Sequence, residues 1–471
     1  MEGAVENGYS GKTDVDDDGR IKRTGTLFTA SAHIITAVIG SGVLSLGWAI
    51  AQLGWVAGPF TLMLFSVITW FTSLLLADSY RSPDPVTGKR NHTYMEAVKS
   101  NLGGSKVQFC GIAQYVNLVG VTIAFTITGS ISMVAIRRSD CFHVEGHNAP
   151  CQVSNTNYIA IFAAFQLVLS QIPNFHKLWW LSILAAVMSF TYSFIGIGLS
   201  IARIAEGGHD VNTSISGIPI GPNLSAADKL WNIFQSLGDI AAAYTYSIVL
   251  VEIQDTLKST PAESKVMKKA STIGVSTTTI FYMLCGCLGY TAFGHNAPGN
   301  FLTGFGFYDP FWLIDIGNIC IAIHLIGAYQ VFSQPIYQFV ETKCRKRWPE
   351  NRLITKEHVL NIPLYGNYNV NLFRLVWRTS YVVFTAVIAM IFPFFNDFMG
   401  LLGALAFWPL TVYFPVEMHI KRAKINRFSF AWVWLQILSI GCLIISVIAG
   451  CGSIQGLIQG VRHFKPFSKI N

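Results

Sequence analysis

The chain has 471 residues, of which 52% are hydrophobic and only 12% are charged, and its mean hydropathy is +0.45. Soluble domains carry about 25% charged residues, so a chain of this length has too few polar side chains to cover a water-soluble fold. The net charge of +8 does not indicate a nucleic-acid-binding protein, because the lysines and arginines cluster in alternate loops between apolar runs. The composition therefore predicts a membrane protein.

Residues 1–26 form a polar segment that contains the acidic run Asp14-Val-Asp-Asp-Asp18. The segment lacks the apolar core of a cleavable signal peptide. We expect it to be a disordered tail that stays on the cytosolic side of the membrane.

Eleven apolar runs follow, and at 1.5 Å per helical residue each can cross about 30 Å of hydrocarbon. They lie at 27–52, 55–78, 110–136, 157–175, 179–205, 230–253, 270–293, 311–340, 372–393, 397–420 and 429–460. The connections near residues 53–54 and 393–397 are so short that we expect helical hairpins there. The sequence predicts an all-α polytopic membrane protein.

The loops after the even-numbered runs are rich in lysine and arginine, whereas the loop at 294–310 contains neither. By the positive-inside rule, the N-terminus then lies in the cytosol and, with an odd number of spans, the C-terminus lies outside. Two glycosylation sequons, at Asn212 and Asn223, fall in the predicted extracellular loop 206–229, which agrees with this topology.

Two of the nine cysteines, Cys141 and Cys151, lie in one polar loop on the predicted outside. We expect a disulfide between them, and two free thiols are the alternative. We expect no metal site, because Cys285-Gly-Cys287 lies inside an apolar run and lacks a second pair of ligands.

The first apolar run is interrupted at Gly40-Ser41-Gly42, within HIITAVIGSGVLSL. A break in a membrane helix leaves backbone groups unpaired and survives only where it lines a cavity or is buried in protein. In secondary transporters, half-helix N-termini at such breaks face an anionic group of the substrate. Close helix packing through small residues is the alternative interpretation.

The sixth run contains a second interruption at a matching depth. It carries Gly238-Asp239 and then an alanine-rich stretch that ends at Tyr244-Thr245-Tyr246, and we expect Asp239 to open the interrupted part. Two broken helices five spans apart indicate two five-helix repeats of inverted topology. The predicted repeats are 27–205 and 230–420, and residues 421–471 add the eleventh helix and an extracellular C-terminus.

Ionisable residues inside the spans are candidates for proton coupling. His33, Asp239 and His324 share the helices that we expect to enclose the site, although a hydrogen-bonded structural histidine is an equally good interpretation of each histidine. Near the cytosolic face, Glu252 and Asp255 could pair with Arg23 and close an inner gate, and solvated side chains are the alternative.

Several long stretches resemble plant amino acid permeases of the amino acid/auxin permease family, within the APC superfamily. The similarity extends from about residue 16 to 467 and includes RTGTLFTASAHIITAVIGSGVLSL, YRSPDPVTGKRNHTYMEAV, GDIAAAYTYSIVLVEIQDTLKS and FPFFNDFMGLLGALAFWPLTVYFPVEMHI. The resemblance implies a LeuT-like fold of ten core helices plus one, and proton-coupled symport of amino acids at the plasma membrane. The family's first-helix break maps to residues 39–44, its acidic residue in span six to Asp239, and its two membrane histidines to His33 and His324.

From the two breaks and the resemblance we expect a binding site for the substrate. Its predicted residues are Ile39, Gly40, Ser41, Gly42, Val43, Leu44, Ala241, Ala242, Tyr244 and Thr245. Ala242 and Thr245 depart from the family, in which phenylalanine usually follows GDIA and serine or alanine replaces Thr245. We therefore expect a roomier pocket that accepts bulkier side chains.

These observations predict a proton/amino-acid symporter for a broad range of neutral and acidic amino acids, with the proton as coupling ion and no other cofactor. An auxin carrier, a sodium-coupled carrier, an exchanger and a receptor without transport are the alternatives. An enzyme is not expected, because no nucleophile–base pair is present. The expected partners are the amino acid, the proton and membrane lipid, without nucleic acid, and the oligomeric state is left open.

Overall fold

The computed structural model describes residues 16–463 apart from 17, 20–21, 147–148, 173–178, 207–210, 223, 306–309 and 363–365. The first part of the described chain contains six α-helices and one short antiparallel pair, β1 (Arg81–Ser82) and β2 (Lys89–Arg90). Its helices are α1 (Leu27–Val38), α2 (Leu46–Ala77), α3 (Tyr94–Asn101), α4 (Ser105–Glu145), α5 (Asn155–Ser170) and α6 (Trp179–Ala205).

The second part contains nine helices among the described residues and a second antiparallel pair, β3 (Glu357–Ile362) with β4 (Gly366–Asn371). The helices are α7 (Ala226–Tyr244), α8 (Ser247–Gln254), α9 (Glu263–Phe293), α10 (Phe311–Arg347), α11 (Arg352–Thr355), α12 (Leu372–Ile391), α13 (Phe395–Ala406), α14 (Phe414–Arg422) and α15 (Phe430–His463).

Nine stretches of the described chain are long and apolar enough to cross a membrane. One of them, Ser41–Ala77, contains the second half of the first crossing, which α1 begins, and the whole of the second crossing, because the chain reverses at Gly54, whose φ is +81°. A Cβ at Gly54 would collide with backbone atoms of Ile215 and Gly217, so only glycine fits this turn. Helix α5, with 16 residues, is the remaining short crossing. Together they give the eleven predicted spans.

The first predicted break is present. Helix α1 ends at Val38, a 3₁₀ turn occupies Ser41–Ser45, and α2 begins at Leu46. Between them, Ile39 and Gly40 are not helical. Glycine and serine are poor helix formers and favour such a break.

The second break is shorter than predicted. Helix α7 continues through Gly238 and Asp239, and only Thr245 and Tyr246 separate it from α8. The prediction that Asp239 opens the interrupted part is therefore wrong. The alanines that follow Asp239 are strong helix formers. Gly238 instead allows close packing, because a Cβ there would collide with the backbone of Gly400 in α13, only 2.4 Å from its carbonyl oxygen.

Ion pairs concentrate at one end of the helix bundle, which we call the Arg23 end. Arg23, Tyr80 and Asp255 meet there. The opposite end, which we call the Asn300 end, carries the turn at Gly54 and the segment Phe301–Phe305. Salt bridges at the Arg23 end include Arg81–Glu263, Lys106–Glu417, Lys268–Asp78 and Arg378–Glu341.

Candidate functional site

A cavity of about 90 Å³ lies where the two broken helices meet, and this volume has space for several water molecules. The first break contributes Gly40, Ser41 and Gly42, and the end of α7 contributes Ala242 and Thr245. The other lining residues are Ala37, Val38, Asn117, Val121, Ala124, Phe125, Ala243, Ile248, Phe332, Met399 and Leu402.

The backbone N–H groups at the first break are suited to bind an anion. The 3₁₀ turn begins at Ser41, and the N–H groups of Ser41 and Gly42 have no backbone partner in the described part of the chain. Free N–H groups at the start of a helical turn favour a carboxylate. A Cβ on Gly42 would lie 3.1 Å from the Cα of Ala243, so glycine lets the two breaks approach closely.

The carbonyl groups at the breaks are held by Tyr282 of α9. Its buried hydroxyl lies 2.5 Å from the carbonyl oxygen of Val38 and 2.9 Å from that of Ala243, and it donates to one of them at a time. Val38 also accepts from the N–H of Gly40 at 2.8 Å. A single side chain therefore connects both broken helices.

The walls of the cavity are mostly apolar. Its polar side chains are those of Ser41, Asn117 and Thr245, and no lining side chain carries a charge. The Thr245 hydroxyl donates to the carbonyl of Ala241 at 2.7 Å. This arrangement suits a small zwitterion whose carboxylate lies at the first break and whose side chain is uncharged.

Half of the predicted binding residues line the cavity, and the other half lie behind it. Gly40, Ser41, Gly42, Ala242 and Thr245 face it. The residues that are buried but are not part of its lining are Ile39, Val43, Leu44, Ala241 and Tyr244.

The three predicted coupling residues lie at separate places. Asp239 is 0% exposed, and neither of its carboxylate oxygens has a hydrogen-bond partner in the described chain. His324 is buried, and its Nδ1 lies 2.9 Å from the carbonyl of Ala185 in α6. His33 is exposed, one turn before Ala37 on α1. The contact of His324 is that of a hydrogen-bonded structural histidine.

At the Arg23 end, the predicted pair of Arg23 and Asp255 is formed. Arg23 Nη2 lies 2.8 Å from Asp255 Oδ1, and Arg23 Nε donates to the Asp255 carbonyl at 2.6 Å. Asp255 also accepts from the hydroxyl of Tyr80 at 2.6 Å. Glu252 instead accepts from the N–H of Tyr94 at 3.2 Å, so only one of the two predicted carboxylates meets Arg23.

A second cavity, of about 690 Å³, opens at the Asn300 end. It is lined by Trp48 of α2, by Asn300 and Thr303, and by Asn396 and Asp397 of α13. The disulfide joins Cys141, in the last turns of α4, to Cys151 beyond the end of that helix. These sulfur atoms and Glu145 are the one metal-compatible group found among the described residues, and disulfide sulfurs are not thiolate ligands.

Sequence reasoning missed Asn117, Tyr282 and Asp397. A single asparagine or tyrosine in an apolar run does not reveal which face of its helix meets the breaks. Asp397 did offer a signal, since it is an ionisable residue at the start of a predicted span.

Comparisons with known proteins give matches along nearly the whole chain. A family model described as transmembrane amino acid transporter protein matches residues 23–459. Amino acid permease 6 of Arabidopsis thaliana is 68% identical over 453 residues, which cover 96% of this chain and 94% of the relative. Amino acid permease 1 of the same plant is 64% identical over 457 residues, which cover 97% of this chain and 94% of the relative.

Solved structures agree in fold. A crystal structure of MhsT in complex with L-phenylalanine has a TM-score of 0.52 at 10% identity, with 92% of this chain and 100% of that chain covered. The inward-facing conformation of Mhp1 has a TM-score of 0.53 at 12% identity, with 94% of this chain and 91% of that chain covered. The predicted LeuT-like fold, with an eleventh helix, is confirmed.

Proposed function

Because the chain belongs to the transmembrane amino acid transporter family, we propose that it is a proton-coupled symporter that imports amino acids across the plasma membrane. As a member of this family, the chain is an amino acid transporter rather than an enzyme, and it is a multi-pass membrane protein. The observation that carries the proposal is the cavity at the two breaks, where the N–H groups of Ser41 and Gly42 lack backbone partners in the described chain.

The preferred substrates are α-amino acids with uncharged side chains. The α-carboxylate accepts hydrogen bonds from Ser41 and Gly42, and the side chain lies against the apolar wall that includes Ala242 and Phe332. An acidic side chain would leave a charge without a cation in this cavity, which is costly. Neutral amino acids are therefore preferred within the broader neutral and acidic range expected from the sequence.

Asp239 carries the coupling proton. Its burial without a partner favours the neutral acid, whereas access to water favours the carboxylate, so alternating access drives uptake and release of the proton. An inward proton gains about 2.3 kcal/mol per 100 mV and about 1.4 kcal/mol per pH unit. About 150 mV and 1.5 pH units give about 5.5 kcal/mol, which is enough for a ratio of about 10⁴.

The Arg23 end is cytosolic and the Asn300 end is extracellular. The repeats 27–205 and 230–420 rearrange around the cavity, and the Arg23–Asp255 pair closes the cytosolic side while substrate enters from outside. The tail 1–26 is cytosolic, the loop 206–229 is extracellular, and residues 421–471 contribute the eleventh helix and an extracellular C-terminus.

Current in voltage-clamped cells that express the chain tests the proposal. Neutral, acidic and basic amino acids are added without sodium at about pH 5.5 and about pH 7.5, a hundredfold difference in proton concentration. An inward current that increases at the lower pH, largest for neutral amino acids, is expected. Tracer uptake without any current or pH dependence would contradict proton symport and favour an exchanger.

Asp239→Asn tests the coupling residue. The variant is expected to lose pH-driven accumulation of L-alanine and to keep exchange of L-alanine across the membrane. Asp228→Asn is the matched control, because Asp228 lies at the exposed start of the same helix and bonds to Ser225 and Gln459. Normal pH-driven accumulation by Asp239→Asn would refute its role.

A further inference from the structure

Three helices, α7, α13 and α15, meet along a line of polar groups that we call the polar seam: Gln235 and Asp239 of α7, Asp397 of α13 and Ser453 of α15. Glycines let these helices approach closely. A Cβ on Gly400 would lie 3.3 Å from Asp239 Oδ1 and 3.1 Å from the carbonyl oxygen of Gln235. The Asp239 carboxyl group thus lies against α13, and Asp239 is not among the residues that line the substrate cavity.

The inner end of the polar seam is the unpartnered carboxyl group of Asp239, which is fully buried. No salt bridge of the described chain involves Asp239 or Asp397. On the neighbouring face of α15 the side chain of Ser453 is neutral, and its hydroxyl donates to the carbonyl of Ala449 at 3.0 Å.

The outer end of the polar seam opens into the large cavity. Asp397 and Gln235 both line that cavity. A Cβ on Gly456 would collide with Asp397 Oδ1 and lie 3.0 Å from Gln235 Oε1, so the two side chains lie together against this glycine. Asp397 is therefore the member of the polar seam that contacts the large cavity.

The spacing along the helices connects the two ends. Gln235 precedes Asp239 by four residues, and Asp397 precedes Gly400 by three residues. At 1.5 Å per residue these steps are about 6 Å and about 4.5 Å, or one helical turn. Polar groups that do not touch directly are commonly bridged by an ordered water molecule.

We propose that the polar seam is the route by which an extracellular proton reaches Asp239, with Asp397 as the group that takes it from the large cavity. This inference rests on the proposed coupling at Asp239. Hydronium in the cavity gives a proton to the Asp397 carboxylate and becomes water. The protonated Asp397 then passes a proton through a bridging water to the Asp239 carboxylate, so Asp397 is again ionised and the water is unchanged.

A consequence of this geometry is that the proton and the amino acid reach the centre of the protein by different paths. The cavity at the breaks is lined by neither Asp239 nor Asp397. The eleventh helix, through Ser453 and Gly456, forms one wall of the proton path.

The test measures uptake of radiolabelled L-alanine by cells that express the full chain, over a range of external pH. Asp397→Asn is expected to need about a tenfold higher external proton concentration for half-maximal uptake, which corresponds to one pH unit. Asp397→Glu is expected to keep the pH profile of the unaltered chain. Exchange of L-alanine at equal pH on both sides, which needs no net proton movement, should be unchanged in both variants.

A second pair of variants avoids removal of the carboxyl group. Gly456→Ala places a methyl group between Asp397 and Gln235 and is expected to shift the pH profile in the same direction. Gly450→Ala is the control on the same helix, because its Cβ would meet only Ala404 at an ordinary 3.6 Å. No shift is expected there.

The outcomes separate the two proposals. If Asp239→Asn abolishes pH-driven uptake while Asp397→Asn, at equal surface density, keeps the unaltered pH profile, the route is refuted and the coupling stands. An equal loss of net uptake and exchange in Asp397→Asn would assign it a structural role and overturn the route. If uptake by the unaltered chain does not depend on external pH, both the proton coupling at Asp239 and the proton route through the polar seam are refuted.

Discussion

Replacement of Arg23 by alanine is expected to open the cytosolic side of the transporter. The Arg23 side chain is 6% exposed and contacts three carboxylates: Asp16 at 3.0 Å, Asp18 at 2.7 Å and Asp255 at 2.8 Å. Burial alone would lower the pKa of Arg23, but the hydrogen bonds that its guanidinium donates to these carboxylates outweigh this effect and raise the pKa, so the guanidinium stays charged at any physiological pH. The hydrogen bond from Arg23 lowers the pKa of Asp16, against the opposing effect of its partial burial.

The free-energy cost of removing Arg23 follows from the contacts that Asp255 keeps. Loss of one partner of a buried ion pair costs about 3–5 kcal/mol. Asp255 keeps its hydrogen bond from Tyr80 and lies 3.1 Å from His92, so we take the lower value of about 3 kcal/mol. If this interaction is made only in the closed state, the equilibrium shifts toward the state open to the cytosol by about 150-fold.

The assay is the rate at which a cysteine at position 37, which lines the cavity, reacts with a membrane-impermeant thiol reagent. Arg23→Ala is expected to increase the rate from the cytosolic side at least about tenfold and to decrease it from outside. Arg427→Ala is the control, because Arg427 is exposed. Equal rates from the cytosolic side in the two variants would refute the gate.

Two further variants test the site. Ala242→Phe fills space in a cavity of about 90 Å³, and overpacking of about 1–3 kcal/mol is expected to reduce uptake of L-phenylalanine about tenfold relative to glycine; unchanged selectivity in competition assays would contradict the roomier pocket. Tyr282→Phe leaves the carbonyl of Ala243 without its donor, while Val38 keeps the N–H of Gly40. A loss of about 1–3 kcal/mol should lower the melting temperature of the purified protein, and an unchanged melting temperature would show that the shared hydroxyl stabilises neither break.

The sequence predicted the spans and the first break because both depend on local composition. Long apolar runs determine the helices, and Gly40-Ser41-Gly42 weakens its own helix without help from neighbours. The reversal at Gly54 could also be inferred, since two apolar runs with almost no connection must form a hairpin.

The second break shows the limit of this reasoning. Gly238 looks like the glycines of the first break, but it lies in a continuous helix because Gly400 packs against it. Whether a glycine breaks a helix or lets a neighbour approach depends on the partner helix, which is distant in sequence. The π-helical turn at Phe407–Tyr413, which contains Pro409, was not predicted for the same reason.

The candidate site was predicted in part. Residues at the breaks were found because they are adjacent in sequence, whereas Asn117 and Tyr282 come from other helices and carry no signal of their own. The proximity of Arg23 and Asp255 could be inferred from opposite charges at the same predicted membrane face. The separation of His33, Asp239 and His324 could not be inferred from the sequence, because it depends on how each helix is rotated about its axis.

The close fit of α15 against α7 has a consequence for biogenesis. A Cβ on Gly452 would lie 2.6 Å from the N atom of Gln235 and 2.8 Å from the carbonyl oxygen of Trp231, so α15 covers the face of α7 that carries buried polar groups. Until α15 is inserted, these groups face hydrocarbon, where an ionised side chain costs about 2.5–3.5 kcal/mol or more. A chain truncated before Phe430 would present this polar face to lipid, and quality control in the membrane would be expected to degrade it even though all ten core helices are present.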